Sequence, residues 1–278
     1  MMELYNITTF DCSKVITKHY STSFTLGIKT LHKQLHRPIY GIYGFVRYAD
    51  EIVDTFHGFD KKELLQSFRE DTFKAIKNKI SLNPVLNSFQ LVVNQYGIEH
   101  ELIEAFLDSM EMDLYNKNYQ REDYGKYIYG SAEVVGLMCL RVFLDGDNEQ
   151  YNQLKGFARK LGSAFQKVNF LRDINSDFTE RGRIYFPGVD FTRFNAEQKR
   201  LIEEDIKADF EEALKGIRKL PPPAKMGVYL AYIYYLTLFE KIKKMPVGKV
   251  LSERIRVPDN IKFALLLKTY FRTSFNSI

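Results

Sequence analysis

Apolar residues recur at intervals of three and four along almost the whole chain, with polar residues between them. Alternating runs of strand length are nearly absent, and no Asn-Gly or Asp-Gly pair sits between such runs. The spacing predicts helices over 9–19, 22–32, 38–57, 60–79, 84–96, 99–116, 122–144, 148–177, 195–218, 222–244 and 258–273. Pro38 is expected at a helix start, where its missing N–H costs nothing. Asn83-Pro84 reads as a cap followed by the first helical residue, and Pro221-Pro222-Pro223 ends one helix and opens the next. Pro187 closes an irregular loop, RGRIYFPGVDF. No Gly/Ser linker, low-complexity tract or fixed-period repeat divides the chain, so the pattern predicts one all-α domain over residues 1–278.

One predicted helix carries acids where a core should be. In YADEIVDTF, residues 48–56, Asp50 and Asp54 lie four apart and share a face, which Arg47 joins from three residues earlier. Glu51 lies about 100° round from Asp50 and is expected to point elsewhere. A second stripe runs through LGSAFQKVNFLRDINSDF, residues 161–178, where Gln166 precedes Asn169, Asp173 and Asp177 at spacings of three, four and four. Phe165, Val168, Leu171 and Ile174 pack between them, and Arg172 leaves the stripe on an adjacent side.

Paired carboxylates one turn apart repel, and burying them unpaired in a bundle is costly. A divalent cation removes both penalties. Mg²⁺ takes hard oxygen ligands, keeps several waters and is held by one or two carboxylates plus a substrate phosphate. Two such helices facing each other would hold ions that bridge to a diphosphate, with Arg47 and Arg172 as phosphate partners. A lone DxxxD is ordinarily a solvated face; the second stripe, with its Asn at the same spacing, favours metal.

Four segments, in order, resemble the squalene/phytoene synthases, the head-to-head prenyl synthases, most of all the bacterial phytoene synthases. They are YSTSF (20–24), PIYGIYGFVRYADEIVD (38–54), YGSAEVVGLM (129–138) and LGSAFQKVNFLRDINSDFTERGRIYFP (161–187). LSERIRVPDNIKFALLL (251–267) is a weaker match. The resemblance implies an all-α isoprenoid-synthase bundle around a central hydrophobic cavity. It implies Mg²⁺ or Mn²⁺, about two to three ions per site, and two prenyl diphosphates. By the same resemblance Asp50 and Asp54 form the first metal pair, and Asn169, Asp173 and Asp177 the second cluster. Arg47, Gln166 and Arg172 would contact diphosphate, Tyr43, Tyr129 and Tyr235 would line the reaction centre, and Ser21, Ser23 and Phe24 would form the flap over the donor site. The rings of Phe24, Tyr43, Tyr129 and Phe165 are candidates to face a cation. The implied course is condensation of two geranylgeranyl diphosphates through a cyclopropyl intermediate to phytoene, the first committed step of carotenoid biosynthesis, without NADPH. A C30 dehydrosqualene or squalene synthase using the C15 substrate is the alternative.

Composition narrows the rivals. With 40 Lys and Arg against 35 Asp and Glu the chain is only mildly basic, which suits an anionic ligand or a membrane surface and argues against nucleic acid. Cys12 and Cys139 are far apart and in no ligand spacing, as expected in a reducing cytoplasm. No signal peptide or apolar run of membrane-spanning length is present, and the sequence ends without an anchor. The basic stretch KIKKMPVGKVLSERIRV reads as a solvated face, with peripheral contact to anionic lipid and to other carotenoid-pathway enzymes as further expectations. A non-catalytic assembly factor of the same ancestry would be expected to lose the acidic pairs, and both are intact. A di-metal carboxylate oxidase needs Glu-x-x-His pairs, which are absent.

Overall fold

The computed structural model describes residues 1–115, 119–179, 183–188, 194–252, 254–258, 265–266 and 269. Among the described residues twelve α-helices follow one another: α1 (Met2–Tyr20), α2 (Thr22–Thr30), α3 (Lys33–Asp54), α4 (Lys61–Asn78), α5 (Pro84–Tyr96), α6 (His100–Tyr115), α7 (Arg121–Ile128), α8 (Val134–Phe143), α9 (Asn148–Thr179), α10 (Ala196–Lys219), α11 (Pro222–Lys243) and α12 (Val247–Ser252). No strand forms among the described residues.

Local chemistry sets the starts. Asn83 accepts from the backbone N–H groups of Val85 and Leu86, with Pro84 at the first turn. Asp60 caps α4 at Glu63, and Asn195 and Gln198 form a reciprocal box on α10. Pro38 departs from expectation: α3 begins at Lys33, so the proline sits inside it, near enough to the start to be accommodated. The predicted helix 258–273 falls almost wholly outside the described residues.

The predicted helix 122–144 is interrupted by one π turn, Tyr129–Glu133, between α7 and α8. The extra residue in that turn shifts the facing of everything after it, as π turns do. Its wall is close-packed: a Cβ on Gly162 of α9 would stand 2.7 Å from the Ala132 carbonyl oxygen.

Two apolar clusters flank a central cavity. The first centres on Phe45, fully buried, whose ring stacks on Phe89 at 3.9 Å and also meets Phe68 and Phe106. The second gathers Val168, Leu171, Phe210 and Phe239 from α9, α10 and α11. The space between them is bounded by residues of α2, α3, α6, α8, α9, α10 and α11.

Candidate active site

The cavity has a volume of about 910 Å³, at the upper end for small-molecule sites. The C-terminal half of α3 contributes Tyr43, Arg47, Asp50 and Asp54 to its wall, and α9 contributes Phe165, Gln166, Asn169, Arg172, Asp173 and Asp177. Ser21, Ser23, Phe24 and Tyr235 also line it. The two acidic helices thus face one space, as their spacing implied.

Tyr129 is the exception and is a correction. It opens the π turn, packs against the first apolar cluster and lies under the Arg159 guanidinium, 5.2 Å from its ring centroid, away from the cavity wall. Tyr127 takes the place expected of it. Its ring borders the cavity and its hydroxyl donates to Asp113 at 2.8 Å. Tyr127, Ser131 and Val135 line the cavity at intervals of four, a face that Tyr129, two residues round from Tyr127, does not share.

Arginines hold the carboxylates. Arg47 stands 3.6 Å from Asp50, bonds Glu51 and lies over the Tyr20 ring at 4.3 Å. Glu51 is therefore tied to the site through Arg47 rather than pointing away from it. Arg183 reaches Asp54 at 3.1 Å and Asp113 at 3.5 Å, and donates to the Asp113 carbonyl at 3.0 Å. Asp173 pairs with Arg172 and, at 2.9 Å, with Arg254. Arg254 belongs to the stretch expected to be a solvated face, and Val250, Ile255 and Val257 beside it are buried. Removal from water, with Asp54 and Asp113 nearby, pushes the Asp50 carboxyl up to about 7 despite the Arg47 charge. Burial likewise raises Asp113 to about 6 against the pull of Arg183 and its two tyrosine donors.

The aromatic wall is ordered by packing. Phe165 stacks on Tyr235 at 3.9 Å, and the Tyr235 hydroxyl donates to the Asn169 amide oxygen at 3.3 Å. Asn169 in turn donates to Gln166 at 3.3 Å. Phe24 lies 5.3 Å from Tyr43, and Ser21 caps α2 by accepting from the Phe24 N–H. Burial raises the Tyr43 phenol to about 12, so it stays neutral at any working pH.

The donor set is hard oxygen, which suits Mg²⁺ or Mn²⁺. Among the described residues no three His, Cys, Asp or Glu side chains converge into a closed metal cage. Asp50 and Asp54 of α3 and Asn169, Asp173 and Asp177 of α9 border one space, an oxygen donor set that fits ions whose remaining ligands come from water and diphosphate. Asp113, Tyr127, Arg183 and Arg254 were missed by the sequence reading. Arg183 stood inside the quoted RGRIYFP segment, while Asp113 had no acidic partner at helical spacing on its cavity face.

Residues 17–260 match the family model described as Squalene/phytoene synthase. The chain belongs to the squalene/phytoene synthase family. Among curated relatives, a 15-cis-phytoene synthase of Synechocystis is 27% identical over 95% of this chain and 85% of its own. A 4,4'-diapophytoene synthase of Staphylococcus haemolyticus is 26% identical over 70% of this chain and 67% of its own. Among solved structures, a dehydrosqualene synthase with bound ligand has a TM-score of 0.81 at 22% identity, covering 98% of both chains. A squalene synthase from Alicyclobacillus acidocaldarius has a TM-score of 0.76 at 21% identity, over 87% of this chain and 95% of that one. These structures share the all-α fold of this squalene/phytoene synthase family member. No helix among its described residues is long and apolar enough to cross a membrane.

Proposed function

We propose that this protein condenses two C20 prenyl diphosphates head to head to phytoene, releasing diphosphate. The observation that carries the chain length is the lining of α9. It faces the cavity from Asp173 back to Leu154, nineteen residues or about 28 Å at 1.5 Å per residue. A C15 chain has twelve carbons along its main line and a C20 chain sixteen, about 14 and 19 Å when extended at ordinary C–C lengths. With about 5 Å for an ion-bound diphosphate, the C20 substrate fills more of that depth than the C15 substrate does. The Synechocystis relative's name supports the same product, and the staphylococcal relative supports a second reading, C15 to C30.

Asp50, Asp54, Asn169, Asp173 and Asp177 would hold the ions, which supply charge neutralisation for the departing diphosphate. Arg47, Arg172, Arg183 and Arg254 border the same space and would take diphosphate oxygens as they exchange their carboxylate partners. Tyr43, Phe165 and Tyr235 present rings to the reacting carbons, stabilising positive charge while offering no ionised oxygen to capture it. Tyr127, held by Asp113, fixes the opposite wall. Ser21 orders the first turn of α2 and so places Phe24 over Tyr43.

The test is Mg²⁺-dependent diphosphate release from the C20 substrate, in the wild type and in Asp50→Ala and Asp173→Ala. Release should fall at least a hundredfold in each variant. Equal release by all three proteins would remove the carboxylates from the mechanism.

A further inference from the structure

Two arginines at the polar end of the cavity are each divided between two acids. Arg47 faces Asp50 at 3.6 Å and bonds Glu51, with its guanidinium over the Tyr20 ring. Arg183 faces Asp54 at 3.1 Å and Asp113 at 3.5 Å. In each pair one acid, Asp50 or Asp54, belongs to the set that would hold ions, and the other does not. Glu51 is 12% exposed and does not border the cavity. Asp113 borders it, but both of its carboxylate oxygens are engaged: Oδ1 accepts from Tyr119 at 3.0 Å and Oδ2 from Tyr127 at 2.8 Å. Turning either oxygen to an ion would strip a buried phenol of its acceptor. Asp113 also grips Arg183 through its backbone, whose carbonyl accepts from Nη2 at 3.0 Å. The Arg47 Nε is buried without a partner among the described residues, on a side chain that borders the cavity. A buried, unpaired guanidinium N–H calls for an acceptor that the protein itself does not provide.

We propose that Glu51 and Asp113 are positioning residues that keep Arg47 and Arg183 aimed into the cavity when Asp50 and Asp54 turn to ions. The inference rests on the reading of this end of the cavity as the diphosphate site. Once Asp50 and Asp54 share their charge with ions, they no longer attract the two guanidinium groups, which then meet like charge instead. Glu51 and Asp113 are the counter-charges that stay. Each arginine therefore gives up one carboxylate and keeps the other, so its freed N–H groups meet diphosphate oxygens without the long side chain being ordered anew. Glu51 and Asp113 act through the arginines and touch neither ion nor substrate.

The experiment is calorimetric titration of Mg²⁺ alone, then of inorganic diphosphate at saturating Mg²⁺. It compares wild type, Glu51→Gln, Asp113→Asn, Arg47→Gln, Arg183→Gln and the doubles Glu51→Gln/Arg47→Gln and Asp113→Asn/Arg183→Gln. Each acid variant should raise the diphosphate Kd about tenfold and leave the Mg²⁺ Kd within threefold of wild type. In each double the acid change should add less than twofold to the cost of its arginine variant, because nothing is left to position. A Mg²⁺ Kd raised tenfold or more in the acid variants would make them ion ligands and overturn the proposal. Diphosphate Kd values within twofold of wild type in both acid variants, or full additivity in both doubles, would overturn it as well. If Asp113→Asn loses its helical circular dichroism, the Glu51 and Arg47 variants decide the question alone. A wild type that binds no diphosphate with Mg²⁺ overturns the reading of the site itself, and this proposal falls with it.

Discussion

Glu99→Gln is a perturbation whose size follows from contacts at the closed end of the cavity. Arg141 of α8 is nearly buried, donates from Nε to Glu99 at 3.1 Å and pairs with it again through a terminal nitrogen. It also donates to Asn148 at 2.7 Å and lies 3.6 Å over the Tyr151 ring, so it ties α8 to the start of α9. That hairpin carries Leu140, Phe143, Leu154 and Phe157 to the cavity. A glutamine keeps one acceptor and loses the charge. Because about a third of the Glu99 side chain is exposed, solvent screening trims the loss to about 2 kcal/mol, or roughly 3–4 °C in melting temperature. Burial works to raise the Glu99 carboxyl, but the Arg141 bonds outweigh it and hold the group below its ordinary range. The pair's stabilisation is therefore complete above the unfolded pKa, about 4.3, and is lost as pH falls through the lower folded value. Urea unfolding of both proteins should give a constant gap between pH 6 and 8 that shrinks at pH 4 and below. A gap under about 0.5 kcal/mol at pH 7, or one undiminished in acid, would refute this account of the hairpin.

Other outcomes follow from the same structure. Tyr127→Phe removes one of the two tyrosine donors to Asp113, leaving Tyr119, and should lower kcat/KM at least tenfold, whereas Tyr129→Phe, away from the cavity, should stay within twofold; the reverse order would restore the sequence-based placement. Gly162→Val pushes α9 off the π turn and should cost about 3 kcal/mol or more, read as a lower melting temperature with reduced soluble yield; a wild-type melt would contradict the close packing. Mg²⁺ at about a hundredfold its Kd should stabilise the protein by about 2.7 kcal/mol, and the double variant Asp50→Ala/Asp54→Ala should lose most of that gain. An equal gain in the variant would place the ions elsewhere.

Much of this architecture is legible in the sequence because helical spacing reports facing directly. Asp50 and Asp54, then Asn169, Asp173 and Asp177, sit on regular helices, and each lines the cavity. Periodicity loses its grip where the helix stops being regular. Tyr129 was placed by the resemblance and not by spacing, and Tyr127, two residues earlier in the chain, lines the cavity instead. Arg183 and Arg254 reach Asp54 and Asp173 from irregular segments, where the chain path alone decides what a side chain meets. Glu51 was read as facing away from Asp50, which the geometry allows, but the long Arg47 side chain bridges both acids. The helix α12 was hidden in a stretch read as a solvated basic face, where Lys249 is exposed while Val250 packs inward.

The most direct test of the central claim is to identify the hydrocarbon made from the C20 diphosphate with Mg²⁺ and no reductant. The account predicts a C40 triene of the phytoene type from the wild type and none from Asp50→Ala or Asp173→Ala. A prenyl alcohol alone, or product undiminished in those variants, would contradict it.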